Sequence, residues 1–294
     1  MMALLTMFII ITITFFIMFL VPGGPFLSEK VTQQMLDVMN RSYGLDKPVY
    51  IQFFNYLRKL LQGDMGISFK RRGYTVMEII AEKFPISAKL GALAILLSLV
   101  MGVVLGILAA SKRNKIADRI IMFICTLGIA MPGFVVATTL LYTFGMNLKW
   151  LPTIGLKTPL NYIMPVFALS LSPTCYITRL MRSSMLDVMG QDYLKTARAK
   201  GLSESKVLYK HALRNSLIPV VTYLGPMMTA VLTGSFVIER IFSVPGLGGY
   251  FISSINGRDY PMIMGTTIFL AALLIVMNLV VDIIYTIIDP RIKY

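Results

Sequence analysis

Six uncharged, mostly apolar runs divide this chain, at 1–28, 90–111, 120–148, 158–178, 215–238 and 260–281. A helix needs about 20 such residues, at about 1.5 Å each, to cross a bilayer core of about 30 Å. Where water is absent, helices satisfy every backbone polar group internally. The runs therefore predict an all-α integral membrane protein with six transmembrane helices. Composition agrees. The 294 residues are 56% hydrophobic and only 14% charged, against about 25% charged in soluble domains. That excludes an ordinary soluble enzyme. The first run has no basic segment before it and no A-x-A site after it, so it reads as an uncleaved helix.

Charge then orients the helices. The chain holds 28 Lys+Arg against 14 Asp+Glu, a net of +14. In a soluble protein this excess would suggest a nucleic-acid partner; here its placement matters more, and no nucleic acid is expected. Fourteen basic residues lie in 112–119, 179–214 and 289–294. The short loops of the opposite side hold only Lys149, Lys157, Arg240 and Arg258. The other ten lie in 29–89, and long segments cross largely regardless of charge. The bias places both termini and the loop 181–216 in the cytoplasm, and 29–89 outside.

Three regions follow: a first transmembrane helix (1–28), an outside helical cap (29–89) and a five-helix core (90–294) carrying the cytoplasmic loop 181–216. Pro22-Gly-Gly-Pro25 ends the first helix. In the cap, 31–43 has helical spacing and stops at Gly44, while 48–62 opens on Pro48 and is followed by Gly63. Thr75-Val-Met-Glu78 fits a capping box, opening a short helix that Pro85 closes. Four aromatics between Tyr50 and Tyr56 suit a packed cap better than a passive linker.

Within the spans, Gly102-x-x-x-Gly106 and Ala230-x-x-x-Gly234 allow close helix approach, and Pro132, Pro165 and Pro173 should kink their helices. Lys89, at the edge of its helix, should snorkel. Asp282 is the one acid associated with a spanning run. It is a candidate functional group, or it caps, pairs with a neighbouring helix or reaches water near the inner end.

Several chemistries are absent. A single His, His211, suits neither a His-based metal cluster nor a catalytic triad. Cys125 and Cys175 fall in spanning runs and suit buried packing. No G-x-x-x-x-G-K-[ST] is present, so ATP cannot bind here through a P-loop. Pro245-Gly-Leu-Gly-Gly249 reads as a sharp re-entry turn on the outer face. No catalytic residue, metal or cofactor is expected on this chain, so its energy should come from another subunit.

The loop 181–216 is the most polar inside segment. Residues 191–200 read as a short helix ended by Gly201 in the left-handed region. Ser203 is a candidate N-cap, with Glu204 in the first turn of a second helix reaching about Arg214. Two short helices hinged at a glycine form a knob that can push on both flanking spans. The loop's positive charge also suits anionic lipid, which does not account for the helix–Gly–helix pattern.

Asp192-Tyr-Leu-Lys-Thr-Ala-Arg-Ala-Lys-Gly201-Leu-Ser, followed by His211-Ala-Leu-Arg-Asn-Ser-Leu-Ile-Pro219, is similar to the EAA loop of ABC-importer permeases. Further matches lie at Val237-Ile-Glu-Arg-Ile-Phe-Ser-Val-Pro-Gly-Leu-Gly248, Phe84-Pro-Ile-Ser-Ala-Lys-Leu-Gly91 and Asp289-Pro-Arg. They extend the resemblance over almost the whole chain and narrow it to the oligopeptide/dipeptide/nickel branch, the oligopeptide permeases in particular. Lys195 and Thr196 stand where the general pattern has Glu and Ala, and its later Ile and Pro fall on His211 and Arg214. These departures argue against a Glu-based docking contact.

The resemblance implies a type I ABC importer permease in a bacterial cell membrane, translocating oligopeptides delivered by an extracellular substrate-binding lipoprotein. It implies a second, homologous permease and two cytoplasmic ATPases that hold ATP and Mg. The EAA loop would seat in a groove on an ATPase through Tyr193, Lys195, Thr196, Ala197, Arg198, Ala199, Lys200, Gly201, Leu202, His211 and Arg214. Ala197, Ala199 and Gly201 would permit close seating, while Arg198, Lys200 and Leu202 would supply charge and an apolar anchor. Segment 29–89 would be the family's outer scoop, facing the binding protein. Dipeptides or nickel chelates as cargo stay open, because selection is expected outside the chain. An ion-coupled transporter acting alone needs intramembrane acids or His, and the sequence offers mainly Asp282.

Overall fold

The computed structural model describes residues 2–20, 25–26, 33–71, 73–203, 206–207 and 212–288. In chain order the helices are α1 (Met2–Leu20), α2 (Gln33–Ser42), α3 (Val49–Leu61), α4 (Val76–Ser111), α5 (Ile116–Ala130) and α6 (Gly133–Leu140). Helix α6 continues as a π-type stretch, Leu141–Asn147. Then follow α7 (Leu160–Met189), α8 (Asp192–Ala199), α9 (Leu213–Ser216), α10 (Ile218–Ile241), α11 (Leu247–Gly257) and α12 (Tyr260–Ile288). Among the described residues the only β pairing is one bridge, Ile67 to Thr75.

Among the described residues four helices are long and apolar enough to cross a membrane: Met2–Leu20, Val76–Ser111, Leu160–Met189 and, within α12, Tyr260–Val280. The run 120–148 is not one straight span. Its chain forms two helices, Ile116–Ala130 and Gly133–Asn147, bent by 102° at the break. The cause is Pro132. A residue before proline is pushed out of the α region, and Met131 takes φ −81, ψ 124. Pro165 and Pro173, by contrast, are carried inside α7 without interruption. Residues 215–238 lie across α9 and α10, and Pro219 sits in the first turn of α10, where its missing N–H costs nothing. Ala230 and Gly234 are on α10, with side-chain surroundings outside the described set.

The cap helices form as their punctuation predicts. Helix α2 is followed by Gly44 at φ +68 and α3 by Gly63 at φ +80. The capping box is real: the Thr75 N–H donates to Glu78 Oε2 at 2.8 Å, and the Glu78 N–H donates to Thr75 Oγ1 at 3.2 Å. Pro85 does not close that helix. Helix α4 runs 36 residues with Pro85 inside it. A helical proline removes one hydrogen bond and crowds the carbonyl four residues back, Ala81 here. The helix nonetheless continues through it, with Val76, Ile79 and Ile80 buried before Pro85 and Leu90 and Ala94 after it. Lys89 therefore lies well inside a helix rather than at its edge, and its Nζ sits 5.0 Å from the Tyr162 ring centroid, within cation–π range. Pro245-Gly-Leu-Gly-Gly249 is a turn that also opens a helix, with Gly246 as the extended N-cap of α11.

The chain divides into two compact units, Met1–Ile86 with Pro245–Val276, and Ser87–Val244 with Met277–Tyr294. In the first, Ile11, Phe15 and Met18 of α1, Phe53 of α3, and Met264 and Ile268 of α12 form one apolar cluster. Val76, Ile79, Ile80, Leu247 and Met262 form another. The buried Asp259 ties this unit together at the entry to α12. Its carboxylate accepts from the Ser68 hydroxyl and from the N–H groups of Phe69 (3.0 Å), Lys70 (3.3 Å) and Met262 (3.4 Å).

In the second unit, α7 packs against α5, α6 and α10. Gly102 and Gly106 bring α4 onto α7. A Cβ on Gly102 would lie 2.6 Å from Ile177 Cγ2, and one on Gly106 would lie 2.5 Å from Met181 Cβ. The small-residue spacing thus has a definite partner. Cys125 and Cys175 are buried free thiols, as their position in apolar runs predicts.

Candidate functional site: the α8 turn

Helix α8 follows Gln191, whose extended backbone (φ −73, ψ 147) serves as N-cap. Asp192 suits the positive end of the helix and pairs with Lys195, Nζ to Oδ1 at 2.8 Å. The exposed pair adds little stability. The C-terminal end is more sharply defined. Gly201 takes φ +75. Its N–H donates to Arg198 O at 2.9 Å, and the Leu202 N–H donates to Ala197 O at 3.3 Å. These two bonds make a Schellman motif, which satisfies carbonyls that the helix end would otherwise orphan. Among the described residues no atom lies within 4 Å of a Cβ placed on Gly201, so glycine is favoured there by its φ of +75.

The faces of α8 divide cleanly. Leu194 and Ala197 are buried against the chain itself. Tyr193, Lys195, Thr196, Ala199, Lys200 and Gly201 are exposed, and Arg198 and Leu202 are half-buried. Ala197 is therefore small because it packs inward, not because it lies on an open seat. The Asn215 amide donates to the Tyr193 hydroxyl at 2.8 Å, joining the residue after Arg214 to α8. Ser216 donates to Ala212 O at 2.8 Å and touches Met185 Sδ at 3.2 Å, which fixes α9 on α7. Arg214 is exposed on α9. The Val207 N–H donates to Ser203 O at 3.0 Å. His211, Glu204 and most of the expected second helix lie outside the described residues. Asp282 is on α12, with its side chain also outside them.

One pair escaped sequence reasoning. The Asp118 carboxylate, 3% exposed, is gripped by Arg182, Nε to Oδ1 at 2.6 Å and Nη2 to Oδ2 at 2.7 Å. The Asn114 N–H adds a third bond at 2.9 Å. Asp118 stands in the first turn of α5, and Arg182 stands on α7 ten residues before α8 begins. An acid early in α5 signals a helix start. Nothing in the sequence names its partner 64 residues away.

Among the described residues no three His, Cys, Asp or Glu side chains cluster to hold a metal. The second unit presents an exposed helical turn, α8, ended by Gly201 and following the long apolar helix α7. The chain belongs to the family of binding-protein-dependent transport system inner membrane components, whose model matches residues 102–294. The family's N-terminal model matches residues 1–91. It is thus a multi-pass membrane transport subunit, not an enzyme.

Its relatives include the dipeptide transport system permease protein DppB of Bacillus subtilis, 45% identical over 98% of this chain and 94% of that protein. The oligopeptide transport system permease protein OppB of Haemophilus influenzae is 44% identical, over 99% and 96%. Among solved structures, a chain of the MetNI methionine ABC transporter superposes with a TM-score of 0.59 at 16% identity, over 72% of this chain and 97% of that one. A chain of an amino acid ABC transporter gives 0.54 at 18%, over 74% and 95%. At such identities the likeness shows a shared fold alone, that of ABC importer permeases.

Proposed function

We propose that this chain is the permease subunit of an ATP-driven importer of peptides, driven at the α8 turn. The observation that carries the reading is that turn, with an inward apolar anchor (Leu194, Ala197), an exposed basic rim (Lys195, Lys200) and a glycine-set end. The names of the relatives support peptide cargo. Dipeptide and oligopeptide permeases match almost equally well, so both cargoes stay within the proposal. Six spans are proposed, with the bent pair at Pro132 counted as one and α10 as another. Both termini would be cytoplasmic and 29–89 outside. The partners would be a second permease, two ATPases holding ATP and Mg, and an external binding lipoprotein. An ion-coupled transporter needs none of these. Uptake by the purified chain alone under a proton or sodium gradient would favour it.

The docking reading is tested by single cysteines in the assembled complex. Thr196→Cys and Lys200→Cys should cross-link to an ATPase subunit with a short bifunctional reagent. Leu194→Cys, facing inward, should not. Equal cross-linking at all three positions, or at none in an intact complex, contradicts docking at α8.

A further inference from the structure

Helix α3 packs directly onto two apolar helices, α1 and α12. Its inward face, Val49, Phe53, Tyr56, Leu57 and Leu60, packs into the cluster formed by α1 and the start of α12. The Phe53 ring lies 5.1 Å from that of Phe15 and 5.4 Å from that of Phe16. Depth follows from helix rise. Phe15 and Ile11 lie about 7 and 13 Å before the end of α1, and Met264 and Ile268 about 6 and 12 Å past the start of α12. Over its described residues α1 is apolar throughout and long enough to cross a membrane, which places Phe15 and Ile11 on a lipid-crossing helix. A helix packed at that level lies beside lipid.

The outer face of α3 matches such a position. Tyr50, Phe54 and Leu61 are 62%, 66% and 90% exposed. At about 100° per residue they share an arc of about 40° directly beside the packed face. Gln52, Asn55 and Lys59 lie about 120–180° away from that strip, and Arg58 flanks it about 40° beyond Phe54. The exposed apolar strip is continuous with α1, because the half-exposed Phe16 touches Phe53, whose neighbour is Phe54. Helix α1 also exposes Ile13, Ile17 and Leu20, as a lipid-facing helix does. An apolar-aromatic face opposite a basic-polar one is the pattern of helices that lie in the membrane interface.

We infer that α3 is an interfacial helix, with Tyr50, Phe54 and Leu61 inserted among lipid tails at the membrane face where α1 ends and α12 begins. The inference rests only on α1 and α12 being membrane spans, and so stands or falls separately from the cargo and from α8 docking. The test is site-directed spin labelling of the full complex in lipid nanodiscs, with Cys125 and Cys175 replaced by Ala. Labels at 50, 54 and 61 should be severalfold more accessible to oxygen than to a water-soluble nickel chelate. Labels at Asn55 and Lys59 should show the reverse. Chelate access at 50, 54 and 61 equal to that at 55 overturns the proposal, since the face is then in water. Shielding from both reagents also overturns it, since another protein then covers the face.

Discussion

Replacing Arg182 with Ala is expected to destabilise the assembled protein by about 3 kcal/mol, because it strands a buried carboxylate. Asp118 is almost fully enclosed, and both of its oxygens are held by the Arg182 fork. After the substitution, among the described residues only the Asn114 N–H remains as a donor. Arg182→Lys should recover part of the loss, since an ammonium gives a point charge and not a bidentate fork. The double change Asp118→Ala with Arg182→Ala should cost less than Arg182→Ala alone, because no buried charge is then left unpaired. Thermal unfolding of the purified complex, followed by loss of the monodisperse peak, reads this order directly. An Arg182→Ala protein as stable as wild type would mean that the pair is not formed in the membrane.

Gly106→Ala should be the second large effect, and its sign is informative. In an open helical site Ala is favoured over Gly by about 1 kcal/mol. At Gly106 the new Cβ would meet Met181 Cβ at 2.5 Å and the Thr178 carbonyl at 3.0 Å. Neither is a flexible tip that can swing aside. Overpacking of this kind costs about 1–3 kcal/mol, so the net change should be destabilising, with Gly106→Val worse. Gly133→Ala is the control, since nothing lies within 4 Å of its position. It should leave the same melting curve unchanged or slightly raised. Equal effects at 106 and 133 would remove the close approach of α4 to α7.

Much of this architecture is written locally. The Thr75–Glu78 box, the glycines after α2, α3 and α8, and the Gly102–Gly106 spacing each act within a few residues, so their outcomes are readable from sequence. What is missing from the sequence is set by tertiary context. Pro85 and Pro132 have the same chemistry, yet one is carried through a helix and the other breaks the chain by 102°. Both prolines are exposed and both have buried residues on either side, Ile80 and Leu90 around one and Gly128 and Ala137 around the other, so burial does not separate the two outcomes. The same limit hid the Asp118–Arg182 pair and the Asp259 node, whose partners lie 64 and about 190 residues away. At α8 the sequence located the helix and its glycine but not its faces. Leu194 and Ala197 proved to be the inward side, which left the exposed side basic and polar.

On the proposed docking at α8, transmission through that turn would depend most on Gly201. Proline there cannot adopt φ +75, and it removes the N–H that bonds to Arg198 O. Gly201→Ala keeps that bond and should cost only about 1–2 kcal/mol for the left-handed backbone. The decisive measurement is the number of ATP molecules hydrolysed per peptide imported by the full complex in proteoliposomes. Gly201→Pro should raise that ratio severalfold, with hydrolysis persisting while uptake falls, and Gly201→Ala should raise it slightly. An unchanged ratio in an intact Gly201→Pro complex would contradict energy transfer through α8.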